Sequence, residues 1–161
     1  MTFRYLLTWM AVGIALAASP VLADAGHTHA RPTAGTDMGG PGKRADAKRV
    51  IRIEARDHDY NLRQIQVRPG ETVRFVIVNK SSIRHEFGIA RHADHVEHRK
   101  MMEKLPDMVH DDDEVVTIEP GETKEIVWRF GMHKDALKDL EFACNIPGHA
   151  EQGMQGKFRG M

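Results

Sequence analysis

Two nearly identical turns constrain the fold of this chain more than any other feature of its sequence. The segment RPGETV (68–73) recurs as EPGETK (119–124). In each, the proline presets the first turn residue and the glycine permits the positive backbone angle that follows. Short runs of alternating apolar and polar residues flank both turns, as expected for strands with one buried face. These runs predict an all-β chain folded as a Greek-key β-sandwich, with strands near 50–55, 64–68, 72–79, 114–119, 125–130, 140–145 and 157–159.

One stretch with a different pattern interrupts the strands. The segment DHVEHRKMMEKL (94–105) predicts a short helix, because Asp94 can cap its start, Glu97 stands three residues on, and Pro106 stops it. We expect this helix to be an insertion between two strands of the sandwich.

The N-terminal residues are predicted to precede the folded domain. Residues 1–23 combine a basic residue, an apolar run that is short for a membrane span, and small residues, which is the layout of a secretory signal peptide. We expect cleavage near Ala23 or Ala25, with no cysteine there to carry a lipid anchor. Residues 24–48 are rich in Gly, Ala, Pro and charge and predict a flexible leader containing His and Met. The domain would then occupy residues 49–161 of an exported, periplasmic protein.

Charge and cysteine content narrow the range of partners. The 23 basic residues balance 23 acidic ones, which argues against nucleic acid or an anionic membrane as the main partner. Small exported domains usually pair their cysteines in disulfides, but this chain has a single cysteine, Cys144. A lone thiol in an oxidising compartment must be either buried or bound to something. We expect a monomer whose main partner is a metal ion.

The segment ACNIPGHAEQGM (143–154) places three types of metal ligand in one loop. Cys144 ends a predicted strand, His149 follows a Pro-Gly turn, and Met154 precedes the last strand. His85 follows the longest predicted strand and can reach this loop, because a sandwich gathers loops from separate strands at one end. One thiolate and two imidazoles with a weak thioether favour copper, whereas structural zinc sites rarely use methionine. Taken singly, the same residues also suit a buried thiol, a turn histidine and a core thioether.

The order His85, then Cys-x4-His-x4-Met, resembles that of the cupredoxins, or blue copper proteins. The segment RHEFGI (84–89), the insertion with His and Met, and the closing loop look most like periplasmic cupredoxins associated with copper tolerance. The resemblance covers residues 49–160 and implies one type 1 copper. His85, Cys144 and His149 would be its strong equatorial ligands and Met154 its axial ligand.

Two positions depart from the cupredoxin pattern. The spacing from His149 to Met154 is one residue longer than in azurin-like loops, which leaves Gln152 as an alternative axial ligand. Glu86 stands where many relatives carry Asn, next to the first copper ligand.

Further histidines and methionines lie outside this motif. His95, His98 and Met102 are three or four residues apart in the predicted helix and would share a face, which predicts a second, softer site for weakly bound copper. The alternative is a helix whose histidines face water and whose methionines pack on the sandwich. The same two alternatives apply in the leader to His27, His29 and Met38.

Two functions fit such a site. The surplus of His and Met beyond four ligands favours copper tolerance, in which the protein sequesters, transfers or redox-buffers copper, with a copper-export component as a partner. The alternative is a soluble electron carrier between a respiratory donor and a reductase or oxidase, with a periplasmic redox protein as a partner. Catalysis is disfavoured, because copper oxidases and nitrite reductases need further histidines from a second domain or subunit, and HVEH (95–98) lacks the H-E-x-x-H spacing.

Overall fold

The computed structural model describes residues 38–161 and shows two β-sheets with helical segments between strands. A three-residue 3-10 turn at Arg44–Asp46 and a four-residue one at Lys134–Leu137 complete the secondary structure of this part of the chain. The elements in chain order are β1 Gly39–Pro41, β2 Arg49–Ala55, β3 Gln64–Val67, β4 Thr72–Asn79, β5 His85–Arg91, α1 His92–Lys104, β6 Val115–Ile118, β7 Thr123–Phe130, β8 Leu140–Ala143, α2 His149–Gln152 and β9 Gln155–Gly160.

The strands form one sheet with the order β1-β7-β4-β2 and a second with the order β3-β9-β8-β5-β6. The chain passes repeatedly from one sheet to the other, and most neighbouring strands are antiparallel. The pairs β2–β4 and β3–β9 are parallel. The predicted β-sandwich is therefore confirmed, and both sheets present alternate side chains to a common core.

Aromatic side chains dominate that core. Phe75 of the first sheet lies with its ring centroid 6.0 Å from that of Phe87 and 5.9 Å from that of Phe158, both in the second sheet. Trp128 is fully buried, and Tyr60 donates a hydrogen bond from its hydroxyl to the carbonyl of Glu86. These contacts hold the start of β5 in a fixed place.

The domain begins earlier than the sequence predicts. Residues 39–41 form β1 and pair with β7, and Met38 is buried in the core. A Gly- and Pro-rich stretch carries no apolar periodicity, so the edge strand gave no signal. Gly39, with φ +102, lies so close to Arg129 that a Cβ would stand 2.1 Å from the carbonyl oxygen of that residue.

The helix and two other elements also differ from the prediction. Helix α1 starts at His92, two residues before the predicted Asp94, and its N-cap residue is Arg91, which makes no side-chain capping bond. Strand β5 was not predicted, because HEFGIAR is buried almost throughout and shows no alternation. Helix α2, which follows the predicted Pro-Gly turn, was too short to leave a periodic pattern.

Candidate metal centre

The residues predicted as strong ligands lie at one end of the second sheet. His85 is the first residue of β5, Cys144 directly follows β8, and His149 begins α2. Strands β5 and β8 are antiparallel neighbours, with Gly88 opposite Ala143. The start of one strand therefore lies beside the end of the other, which brings His85 to the closing loop.

Three ligand atoms converge there. The Nδ1 atoms of His85 and His149 are 3.2 Å apart, and the Sγ of Cys144 is 3.4 Å from the Nδ1 of His149. All three atoms lie within 4.8 Å of one another. His85 and Cys144 are fully buried, whereas His149 is half-buried. This group, the Cys–His cluster, has the donor types and the spacing that copper requires.

Backbone hydrogen bonds shape the closing loop. The N–H of Cys144 donates to the carbonyl of Met154 at 2.9 Å, and the N–H of Met154 donates to the carbonyl of His149 at 3.0 Å. Gly148 and Gly153 flank α2 with φ of +84 and +120, backbone angles that residues other than glycine rarely adopt. The loop thus fixes the relative positions of Cys144, His149 and Met154 before any metal binds.

The two residues considered for the axial position differ in burial. Met154 is fully buried in the core, whereas Gln152 is exposed. A thioether held away from water also suits a weak, soft axial donor. The structure therefore favours Met154 over Gln152, and the role of Met154 as a ligand stays a prediction.

Two residues that sequence reasoning missed hold His85 in place. The Nε2 of His85 lies 2.8 Å from the hydroxyl of Ser81, and that hydroxyl lies 2.8 Å from the Oδ1 of Asn79. Asn79 is buried and donates to the carbonyls of Ile83 and Ile118. A proton on Nε2 of His85 leaves Nδ1 as a lone-pair donor toward the cluster. The sequence SS (81–82) after a strand gave no sign of this role, because serines are common in turns.

Burial controls the protonation of Cys144. It raises the pKa of the thiol to about 12, although the backbone amides of Glu86 and Ile146 oppose this shift. The N–H of Glu86 donates to the Sγ at 3.3 Å. In the absence of a cation the side chain is therefore a neutral thiol at pH 7, and a bound cation has to displace its proton.

The two histidines are poised as neutral donors. Burial, together with the facing imidazole of His149, lowers the pKa of His85 to about 4. Burial and the nearby His58 lower the pKa of His149 as well. His58 is exposed, and the neighbouring Asp57 partly opposes the shift at His85. The loop that carries Asp57 and His58 therefore lies beside the cluster, which the sequence did not reveal.

A second group of potential ligands surrounds the side chain of Glu86. The Nε2 atoms of His98 and His110 are 3.2 Å apart, and each lies 3.8 Å from a carboxylate oxygen of Glu86. These three residues are the second set among the described residues whose ligand atoms all lie within 4.8 Å. We call this group the Glu–His cluster. Burial raises the pKa of Glu86 to about 7.

The periodicity of the helix predicted that His98 would share a metal site with His95 and Met102, but in the structure His98 contacts His110 and Glu86. His95 is buried, with its Nδ1 3.0 Å from the Oδ1 of Asn145 and its Nε2 3.4 Å from the carbonyl of Glu141. Met102 is fully buried. His95 is thus a hydrogen-bonded interior residue, while His98 meets His110 from the loop that follows α1. Periodicity within one helix could not reveal a partner from another segment.

The leader residues considered as ligands have different outcomes. Met38 is a core residue, with 5% of its surface exposed. His27 and His29 lie outside the described residues, as do the predicted signal peptide and most of the predicted leader. The helices within residues 38–161 lack the length and the apolar composition that a membrane span requires.

Known proteins align with most of this chain in sequence. A profile of copper-binding proteins of the plastocyanin/azurin family matches residues 47–159. The copper-resistant cuproprotein CopI of Rubrivivax gelatinosus is 42% identical over 151 residues, which is 89% of each chain. CopI of Vibrio cholerae is 39% identical over 123 residues, covering 74% of this chain and 69% of the relative.

Solved structures share the fold. Auracyanin B superimposes with a TM-score of 0.60 and 14% identity over 76% of this chain and 94% of its own. Reduced auracyanin from Roseiflexus castenholzii gives a TM-score of 0.57 and 18% identity over 71% of this chain and 98% of its own. At such identities the likeness speaks for the architecture alone.

Proposed function

The chain belongs to the plastocyanin/azurin family of copper-binding proteins, and we propose that its copper is held by His85, Cys144 and His149, with Met154 as a weak axial ligand. The convergence of one sulfur and two Nδ1 atoms within 4.8 Å carries this proposal. A copper ion in such a site supplies one-electron redox chemistry with little rearrangement of its ligands.

The protein's own residues prepare this site for a cation. The lowered pKa values keep both imidazoles neutral at pH 7, so that each can offer a lone pair. The amide of Glu86 donates toward the sulfur and stabilises it as a thiolate once its proton has left. Binding is therefore expected to release the proton of Cys144 to solvent.

The function we propose is copper tolerance: the exported protein captures copper in the periplasm and buffers or passes it on. The support comes from relatives that are named copper-resistant cuproproteins and that align over most of this chain. The structure adds His58, an exposed histidine close enough to lower the pKa of both cluster histidines. An exposed imidazole beside a half-buried one can offer an incoming copper ion its first ligand.

We propose a binding role without catalysis, since the family profile spans one domain and the Cys–His cluster uses residues of that domain alone.

One observation favours electron transfer as a second candidate function. His149 is half-buried and Pro147 beside it is exposed, so a redox partner can approach one ligand of the metal.

Growth of a deletion strain distinguishes the two functions. We expect loss of the gene to impair growth in excess copper and to leave respiration at ordinary copper unchanged. The wild-type gene should restore growth, whereas Cys144→Ala should not. His133→Gln, a change at an exposed histidine outside both clusters, serves as the control that restores growth. A respiratory defect at ordinary copper, with normal copper tolerance, would establish the carrier function instead.

A further inference from the structure

Glu86 is a charged side chain in an unusual position. It follows His85 on β5, and because successive side chains of a strand point to opposite faces, it lies on the side of the strand away from His85. Its surface is fully buried, and neither carboxylate oxygen accepts a hydrogen bond of good geometry. The backbone of Asn145 is near enough to favour the carboxylate form and lower its pKa, but the opposing effect of burial is larger. A buried carboxylate without hydrogen bonds costs free energy unless a cation compensates it.

Two imidazoles face this carboxylate from different segments. His98 belongs to α1, and His110 lies in the loop before β6. One oxygen of Glu86 is 3.8 Å from the Nε2 of His98, and the other is 3.8 Å from the Nε2 of His110. The two Nε2 atoms are 3.2 Å apart. Ligands from a strand, a helix and a loop thus surround one small volume.

The spacing fits a bound transition-metal ion. Bond lengths of about 2.0–2.2 Å to nitrogen and oxygen place neighbouring ligand atoms roughly 2.8–3.1 Å apart in the tetragonal geometry of copper(II) and roughly 3.3–3.6 Å apart in a tetrahedral site. The observed separations of 3.2 Å and 3.8 Å reach either range with side-chain shifts of less than about 1 Å. A hydrogen bond between the two imidazoles would also explain the 3.2 Å distance, but it would leave both oxygens of Glu86 without a partner. A cation compensates all three residues at once.

The surroundings of the Glu–His cluster support a metal site. The Nδ1 of His110 is 3.9 Å from a carboxylate oxygen of Asp112, which is too long for a hydrogen bond but adds negative charge beside the cluster. His98 retains 16% exposure of its side chain, which gives an ion a path from solvent. The acidic run DDDE (111–114) beside His110 raises the local concentration of cations.

We propose that Glu86, His98 and His110 form a second transition-metal site, which takes copper(II). Two imidazoles and a carboxylate suit copper(II) or zinc, and copper binds the more tightly of the two. Copper(I) prefers thiolate and thioether, which this cluster lacks. The second site goes beyond the proposed copper-tolerance function and does not depend on the Cys–His cluster, since none of its side chains is shared.

Metal counting on variant proteins tests the assignment. Every arm carries His27→Gln and His29→Gln, so that the leader histidines do not contribute. After loading with copper(II) and removal of loose metal, we expect His98→Gln with His110→Gln to bind one copper fewer per chain and to keep the intense colour of the thiolate site. Cys144→Ser should lose the colour and retain one copper with the electron paramagnetic resonance signal of a nitrogen- and oxygen-ligated ion.

The control is a histidine variant outside both clusters. His133→Gln should leave the count unchanged, because that exposed histidine belongs to neither cluster. An unchanged count in the double histidine variant would overturn the second site, as would a site that held zinc but no copper. If the protein with Cys144 intact bound copper at the second site but showed no intense colour, that result would instead count against the proposed function, so the two failures are distinguishable.

A crystal structure of the copper-loaded protein covers the case in which the buried variants fail to fold. Anomalous scattering at the copper edge should show a peak bonded to the Nε2 atoms of His98 and His110 and to an oxygen of Glu86. Density for copper at the Cys–His cluster alone, with none between these three side chains, would overturn the proposal.

Discussion

The Cys–His cluster and the Glu–His cluster begin at adjacent residues of β5, yet they are built in different ways. His85 joins a loop of the same sheet, in which Cys144 and His149 are only five residues apart. Glu86 joins one residue of α1 and one of the loop that precedes β6. The first cluster contains sulfur and suits a soft or borderline ion, while the second offers only nitrogen and oxygen.

Burial affects the two adjacent residues in opposite directions. It lowers the pKa of His85 to about 4 and raises that of Glu86 to about 7, because in each case the charged form loses its hydration. A single strand thus holds a neutral base on one face and an acid of raised pKa on the other. The comparison shows that one strand can present two kinds of potential metal ligand when both of its faces are covered.

The largest expected effect separates the clusters by colour. Cys144→Ala should abolish the intense visible absorption of the copper(II) protein, because the thiolate that donates charge to the metal is gone. Substitutions in the Glu–His cluster should leave this absorption in place. Visible spectra of the copper-loaded variants make the measurement, and a colour that survives Cys144→Ala would show that the sulfur is not a ligand.

Removal of the support of His85 should weaken copper binding without removing a ligand. Ser81→Ala deletes the hydroxyl 2.8 Å from the Nε2 of His85. Loss of such an orienting partner lowers metal affinity about 10–100-fold. Competition with a chelator of known affinity measures the change.

Ser82→Ala is the matched control for this experiment, since the adjacent serine is exposed and Ser81 is the one that contacts the imidazole. Equal affinities for the Ser81 variant and the wild type would mean that the fold alone orients His85.

Stability against pH should reveal the opposite behaviour of the two residues in the metal-free protein. Between pH 6.5 and about 4 the unfolded chain protonates His85 and the folded chain does not, so the free energy of unfolding falls as the pH falls. Between pH 4.5 and about 7 the folded chain retains the proton of Glu86, so the free energy of unfolding falls as the pH rises. In the wild type these two contributions partly cancel.

Single substitutions should separate the contributions. Glu86→Gln leaves the His85 contribution, so stability should rise from pH 4.5 to 6.5, with this residue adding at most about 1.4 kcal/mol per pH unit. His85→Gln leaves the Glu86 contribution and should reverse that added slope. Urea unfolding at several pH values measures both, and identical pH profiles for the two variants would contradict the opposite signs.

The smallest expected effect on copper occupancy comes from Met154. Met154→Leu should keep both copper and colour, because the thioether is a weak donor, and should raise the reduction potential, since its loss favours copper(I). Redox titration measures the potential. Met102→Leu, at another fully buried methionine, is the control that should leave it unchanged, and equal potentials for both variants would remove Met154 from the site.

The parts of the fold that were predicted correctly all had a local signal. The alternating runs, the repeated Pro-Gly turns and the break at Pro106 identified most strands and the helical insertion. Strand β5 was missed because both of its faces are covered, and such a strand shows no alternation. Strand β1 was missed because its Gly-Gly-Pro sequence pairs through its backbone alone.

By itself, the sequence determined the grouping of Cys144, His149 and Met154, because these residues share one short loop whose spacing is covalently limited. The alternation of apolar and polar residues along the strands also predicted the β-sandwich from the sequence alone. The sequence also predicted that His85 can reach this loop. Only the tertiary structure decided that it does so through the pairing of β5 with β8, that Ser81 contacts its imidazole, and that Glu86 lies beside His98 and His110. These contacts join residues that are distant along the chain. They form because both faces of β5 are covered by other segments, and the identity of those segments cannot be predicted from a local sequence pattern.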